Sequence, residues 1–225
     1  MNVIKNTLKR ILPSIFRQAY RKIQYKIFGF EATFKGMNTS DIFDKIYNDG
    51  IWGKDEFGRP TSGSGSHSFD VVEPYVEAVK TEIKTLSCAT IVDLGCGDFN
   101  VGKNFIDNCT KYVACDISKI ILEQNQQIYQ YENLKFNQIN LAEDELPKGD
   151  LAFVRQVLQH LSNREIKKFV DYLNNVKPYK HLLVTEGLPF EKEFKPNIDK
   201  PSGSDTRFLL NSGIELHKEP FLLKY

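Results

Sequence analysis

The chain has 225 residues, 26% of them charged and 41% hydrophobic, enough for one domain with a sizeable core and unlike low-complexity, collagen-like or membrane-spanning chains. Its formal net charge of +1 excludes an overall electrostatic commitment to nucleic acid. The charge is uneven: seven Lys and Arg lie between Lys5 and Lys26, ahead of the first acid, Glu31, which leaves −6 for the rest. An anionic partner is therefore expected to meet the first thirty residues rather than the body.

Residues 3–29 read as a basic helix, with Ile4, Leu8, Ile11, Ile15, Ile23 and Ile27 in an aliphatic stripe and Pro13 as a kink. Residues 38–47 predict a short helix capped by Asn38, Thr39 or Ser40. Residues 50–66 are rich in Gly, Ser and Pro and read as a loop, although Trp52 and Phe57 are unusual in a spacer. From residue 71 helices alternate with short apolar strands. Strands are expected at 90–94, 111–116, 134–140, 150–156 and 180–186, and helices at 71–87, 100–108, 118–131 and 163–175. Residues 213–218 and 220–225 are candidates for closing strands. The expected fold class is α/β: a Rossmann-like, doubly wound, mostly parallel sheet with an N-terminal helical extension. The expected divisions are a basic extension over 1–30, a leader or lid over 31–70, and a catalytic domain over 71–225.

Cys88, Cys96, Cys109 and Cys115 include no C-x-x-C pair, so they read as reduced thiols rather than metal ligands, and no metal is expected. No signal-peptide core is evident, and no apolar run approaches the roughly 20 residues needed to span a bilayer. A cytoplasmic location follows as the expectation.

In an open parallel sheet the ligand site lies beyond the carboxyl ends of the strands, which directs attention to the turn at 92–102, VDLGCGDFNVG. Gly95 and Gly97 allow a tight turn and a close backbone approach, with the small Cys96 between them. A dinucleotide fingerprint needs a third glycine at position 100, which is Asn. Asp93 and Asp98 flank the glycines and would repel a pyrophosphate. They suit a cationic cofactor, which points to S-adenosylmethionine. Asp116, ending the second strand, is placed to accept from ribose hydroxyls.

Over residues 88–190 the sequence resembles the class I S-adenosylmethionine-dependent methyltransferases. The resemblance rests on VDLGCGD at 92–98, Asp116 ending the second strand, and DLAFVRQVLQHLSN at 150–163. More narrowly it resembles a bacterial, glycan-associated subgroup. The residues that carry this are Trp52-Gly53, SGSGS at 62–66, the GCGDF turn, QHLSN, and Arg207 before Pro220-Phe221. Phe99 departs from the superfamily pattern, which places a third glycine there, and it is expected to pack under the cofactor.

The resemblance implies that Asp93, Gly95, Cys96, Gly97, Asp98 and Phe99 surround the methionine end of the cofactor. Asp116 and Ile117 would meet ribose and adenine, and Asn140 and Leu141 the adenine edge. Arg155 and Gln156 would end the fourth strand at the methyl-transfer face. His160 is the candidate base for a hydroxyl acceptor, with Glu186 as the alternative. Trp52 is the candidate lid residue and Arg207 the candidate clamp for an anionic acceptor. Residues 62–66 are either a linker or a backbone-donor nest over the cofactor carboxylate.

The implied reaction is methylation of a sugar hydroxyl, or second a sugar-phosphate, of a surface glycan or its precursor. A non-catalytic adenosyl-binding scaffold and a nucleotide-dependent Rossmann enzyme stand as alternatives. The partner is a small-molecule or glycan acceptor, not nucleic acid. For residues 1–29, peripheral contact with the inner face of the membrane stands against packing on the catalytic domain or on a second subunit of a homodimer.

Overall fold

The structure, a computed structural model, describes residues 33–191 and 193–225, with Ile23 ahead of them. The expected basic helix over 3–29 lies outside the described residues, Ile23 apart. The described chain runs α1 (Thr39–Asp49), α2 (Ser64–His67), α3 (Phe69–Leu86), β1 (Thr90–Leu94), β2 (Lys111–Asp116), α4 (Lys119–Ile128), β3 (Leu134–Gln138), β4 (Gly149–Arg155), α5 (Asn163–Val176) and β5 (Tyr179–Thr185). Short 3₁₀ turns occupy Gly102–Asn108, Leu158–His160 and Arg207–Leu210.

The five strands form one parallel sheet in the order β3-β2-β1-β4-β5. Strand order reverses at β1, so the crevice beside the carboxyl ends of β1 and β4 is where a ligand site belongs. The strands read as continuous apolar runs because both faces are covered. Val92 and Leu94 point into one layer with Ile46 of α1 and Phe169 of α5. Ile91 points into the other with Val79 and Ile83 of α3 and Phe105. Each such fully buried side chain contributes about 1.5–3 kcal/mol.

Local signals set the helix ends. Asn38 caps α1 by accepting from the Asp41 amide at 2.9 Å, and Gly50 closes it at φ 66°. Its Ile42, Phe43, Ile46 and Tyr47 share one buried face, so the leader contributes to the core of the domain. α5 starts with a capping box between Ser162 and Glu165. Ser118 Oγ, which caps α4, donates to Asp44 Oδ1 at 2.6 Å and locks α1 onto α4.

Two sequence expectations are corrected. The stretch at 100–108 is a 3₁₀ turn rather than an α-helix. Residues 213–225 add no strand; Leu216 and Phe221 bury themselves beside α5 from irregular backbone.

Candidate active site

The turns at the carboxyl ends of the sheet enclose a cavity of about 490 Å³, a size typical of small-ligand pockets. Its cofactor end is built on the β1 turn. Gly95 and Gly97 have φ of 86° and 54°, a region in which a side chain is strained. A Cβ on Gly95 would lie 2.3 Å from Val157 Cγ2, and one on Gly97 would lie 2.2 Å from Ser62 Oγ. Both positions therefore require glycine. The turn is tied to β2 by the amides of Gly95 and Cys96, which donate to Cys115 O at 2.7 and 2.8 Å.

Asp116 completes this frame. Its carboxylate accepts from the Gly97 amide at 3.0 Å and the Ser118 amide at 2.9 Å. Burial pushes its pKa up to about 6, against the pull of those amides. Each oxygen retains a second acceptor direction. Asp93 accepts from the Tyr112 hydroxyl at 3.0 Å, and burial pushes it up to about 7. Cys96, Ile117, Asn140, Leu141 and Gln156 also line the cavity. Asn140 Oδ1 already accepts from the Ala142 amide at 3.0 Å, so the carbonyl expected at an adenine amino group is engaged in its own turn.

Residues 62–67 form a strap across the cavity rather than a linker. The Ser62 amide donates to Asp98 Oδ2, and the Asp98 amide donates to Ser62 Oγ, each at 2.8 Å. His67 Nε2 meets the same Asp98 oxygen. Asn100 Nδ2 donates to Ser66 O at 2.6 Å, and Arg155 Nη2 to Gly65 O at 2.7 Å. Asp98 thus lines the cavity as the anchor of the strap, a different role from the expected contact with the methionine end. Arg155 lies over the Tyr75 ring at 4.8 Å.

Trp52 stands 4.9 Å from the His160 ring and 5.3 Å from Tyr47, centroid to centroid. Trp52 Nε1 donates to Ser204 O at 3.3 Å. Burial and the neighbouring Lys200 charge push the His160 pKa down to about 3, so the imidazole is neutral at physiological pH.

Three expected site residues have other roles. Phe99 sits at φ 61°, so the backbone demand for a glycine is real. Its ring, however, packs edge-on against Tyr112, Tyr129 and Phe136 in the core instead of under a cofactor. Glu186 accepts from the amides of Val157, Leu158 and Gln159 at 2.9, 2.8 and 3.1 Å. Those three donors favour the carboxylate, while burial pushes its pKa up to about 7. It caps the turn that carries His160 and has no place as a base. Arg207 is fully buried and donates to Ile198 O and Leu161 O, each at 2.6 Å, away from the cavity lining. It braces the C-terminal segment and is not an anion clamp.

Sequence reasoning missed Tyr47, Tyr75, Gln159 and Ser204, all in the cavity wall. Gln159 lies inside the QHLSN motif but was given no role there; no motif marks the other three, which meet the site only through packing.

A family profile described as a methyltransferase domain matches residues 92–178. Human N-acetylserotonin methyltransferase, solved with SAM, superposes with a TM-score of 0.52 at 17% identity, over 88% of this chain and 60% of that one. Magnesium protoporphyrin IX methyltransferase from Synechocystis PCC 6803, solved with SAH, gives 0.51 at 18% identity, over 68% of this chain and 72% of that one. The chain spans 65% of a bacterial methyltransferase domain, CtHen1, which it also matches, with a TM-score of 0.46 and 18% identity over 51% of this chain. No curated protein sequence matches this chain. Residues 92–178 thus resemble a methyltransferase domain, and the fold is that of structures solved with S-adenosylmethionine or S-adenosylhomocysteine. The residues fit that cofactor: a glycine cradle that any Cβ would fill, a carboxylate at the end of β2, and Arg155 with Nε unpartnered among the described residues.

Proposed function

We propose that this protein methylates an acceptor hydroxyl, of a glycan or its precursor, using S-adenosylmethionine. The observation that carries the reading is one continuous cavity, running from the Gly95–Asp98 turn past the end of β4 to Trp52 and His160. When bound, the cofactor supplies an electrophilic methyl group on a sulfonium. The chain's own contribution is chiefly alignment. In this reading Asp116 receives the ribose hydroxyls through its spare acceptor directions, and Ile117 and Leu141 flank the adenine. Arg155, beside the strap, faces the cofactor carboxylate. Gln156, held at φ 54°, fixes the end of β4 between the two halves of the cavity.

His160 would hold the acceptor hydroxyl and receive its proton as the oxygen bonds to the methyl carbon and the carbon–sulfur bond breaks, leaving S-adenosylhomocysteine. So low a pKa makes it a weak base, suited to receive the proton only as the new bond forms. Glu186 positions it through the three amides of its turn. The glycan assignment is supported by the leader motifs, Trp52-Gly53 and 62–66, whose residues Trp52 and Ser62 to Ser66 stand in the cavity wall.

Titration calorimetry with S-adenosylhomocysteine tests the cofactor half. Asp116→Ala should weaken binding by about 2–3 kcal/mol, and Gly97→Val should abolish it. Unchanged affinity in both variants would remove the reading. The acceptor half is tested by a mass gain of one CH₂ on a glycan hydroxyl after incubation with enzyme and cofactor.

A further inference from the structure

The geometry points to the Trp52–His160 end of the cavity as a subsite for an uncharged ring bearing hydroxyls, one that rejects phosphorylated or carboxylated acceptors. The inference rests on the methyltransferase reading above and narrows its substrate class.

The charge around the cavity is the first ground. Among the described residues that line it, Arg155 is the one Lys or Arg, set against Asp93, Asp98, Asp116 and Glu165. Arg155 donates to Gly65 O, lies over the Tyr75 ring, and in the reading above serves the cofactor. Lys200 and Arg207 stand outside the cavity lining. Lys200 Nζ donates to Pro201 O at 2.7 Å and His160 O at 3.4 Å, while Arg207 is spent on the carbonyls of Ile198 and Leu161. A phosphate placed beside His160 would lose its water and meet no Lys or Arg in the cavity wall other than Arg155.

Unanswered polar atoms are the second ground. Gln159 and Ser204 are 7% and 8% exposed, and both line the cavity. Yet Gln159 Oε1 and Ser204 Oγ have no hydrogen-bond partner among the described residues. Buried polar atoms are normally paired, and leaving them unpaired is costly. Gln159 Oε1 is an acceptor only, so it asks for a donor, and Ser204 Oγ can accept or donate. A ligand hydroxyl answers both. A phosphate or carboxylate brings acceptors and leaves Oε1 unanswered.

The shape supplies the third ground. Trp52 offers an aromatic wall, fixed in place by its bond to Ser204 O. Phe208, 42% exposed, also lines the cavity. A Cβ on Gly187 would lie 2.4 Å from Phe208 Cζ and 3.3 Å from Gln159 Oε1, so this glycine keeps Phe208 and Gln159 close to the β5 end. An aromatic wall beside hydroxyl-seeking groups suits a ring whose faces are apolar and whose edges donate.

Trp52 is the single tryptophan of the chain, so its fluorescence reports on this subsite. The full-length protein saturated with S-adenosylhomocysteine is titrated with methyl glycosides of glucose, galactose and mannose, with catechol, and with the 6-phosphates of the same sugars. At least one neutral ring should give a saturable change, with its phosphorylated counterpart about tenfold weaker or more. The glycoside and catechol arms distinguish a sugar from a phenol. Ser204→Ala and Gln159→Ala should each weaken the neutral ring about threefold or more, with unaltered affinity for S-adenosylhomocysteine. Equal or tighter binding of the phosphates, or no saturable response to any neutral ring, would overturn the inference. So would variants that keep both affinities. If neither variant retains cofactor affinity, the neutral-versus-phosphate comparison in the wild type decides alone. Failure of S-adenosylhomocysteine to bind at all would instead sink the methyltransferase reading.

Discussion

Asp93 shows how a single residue can serve a ligand at the expense of the fold. Its pKa in the folded chain, about 7, lies above the ordinary 3.8 because burial disfavours the charged form. The folded state therefore holds this proton more tightly than the unfolded chain does. Ionising it removes stability progressively between about pH 4 and pH 7. Asp93→Asn, which keeps an acceptor for Tyr112, should melt several degrees higher than wild type above pH 7. The difference should shrink as the pH falls towards 4, and affinity for S-adenosylhomocysteine should drop. A gap independent of pH, followed by differential scanning calorimetry across this range, would show that Asp93 does not ionise in the folded protein. Lys200 runs the opposite way. Its pKa is pushed down to about 7 by burial, so its burden is present below pH 7 and is relieved between pH 7 and about 10.5. At His160 the expected result concerns rate. His160→Ala should lower turnover roughly 10²- to 10⁴-fold with cofactor affinity nearly intact. A lower melting temperature with normal specific activity would assign the residue to structure.

Elements fail through their ends. Glu165 is the N3 residue of the α5 capping box and also receives hydroxyls from Thr39, Ser162 and Ser202. One carboxylate thus joins α5, the start of α1 and the 197–206 segment. Glu165→Ala should cost more than a lone cap, on the order of 2–3 kcal/mol, whereas Ser40→Ala on α1 should cost well under 1 kcal/mol. Urea denaturation of the two variants compares them directly. Equal losses would mean that the carboxylate does no more than cap its helix. The strap is the other element with a testable anchor. Asp98→Ala releases the Ser62 amide and His67 together. Protease cleavage within residues 59–69 should then accelerate, and S-adenosylhomocysteine should restore protection only where the strap closes over it.

For the molecule as a whole, the open matter is how it meets its acceptor. No helix among the described residues is long and apolar enough to cross a membrane. Residues 1–29 combine an aliphatic stripe with seven cations and no acid. Such a segment can lie on an anionic bilayer, each nearby Lys or Arg contributing about 1 kcal/mol, or pack on the catalytic domain or a second subunit. Sedimentation with anionic vesicles should show salt-sensitive binding that is lost on deleting residues 1–29, with S-adenosylhomocysteine affinity retained. Absence of binding, with loss of dimerisation on the same deletion, would make the segment a subunit contact.

The sequence by itself determined the five strands, the α-helices that flank them, the glycine turn and the carboxylate of Asp116, but not the 3₁₀ turn at 102–108 or the strandless end. These are local demands: alternation of apolar runs, positive φ at Gly95 and Gly97, and a strand that ends in an acid. Only the tertiary structure decided the roles of the polar residues. Glu186 reads as a base until three amides are found on it, and Arg207 reads as a clamp until two carbonyls claim it. Ser204 carries no motif, Gln159 opens QHLSN without its role being legible there, and Trp52 reaches Ser204 across 152 residues of chain. A polar side chain's work depends on which donors and acceptors surround it and on whether water can compete. Neither is written in its neighbours along the sequence, because both are set by packing between distant segments.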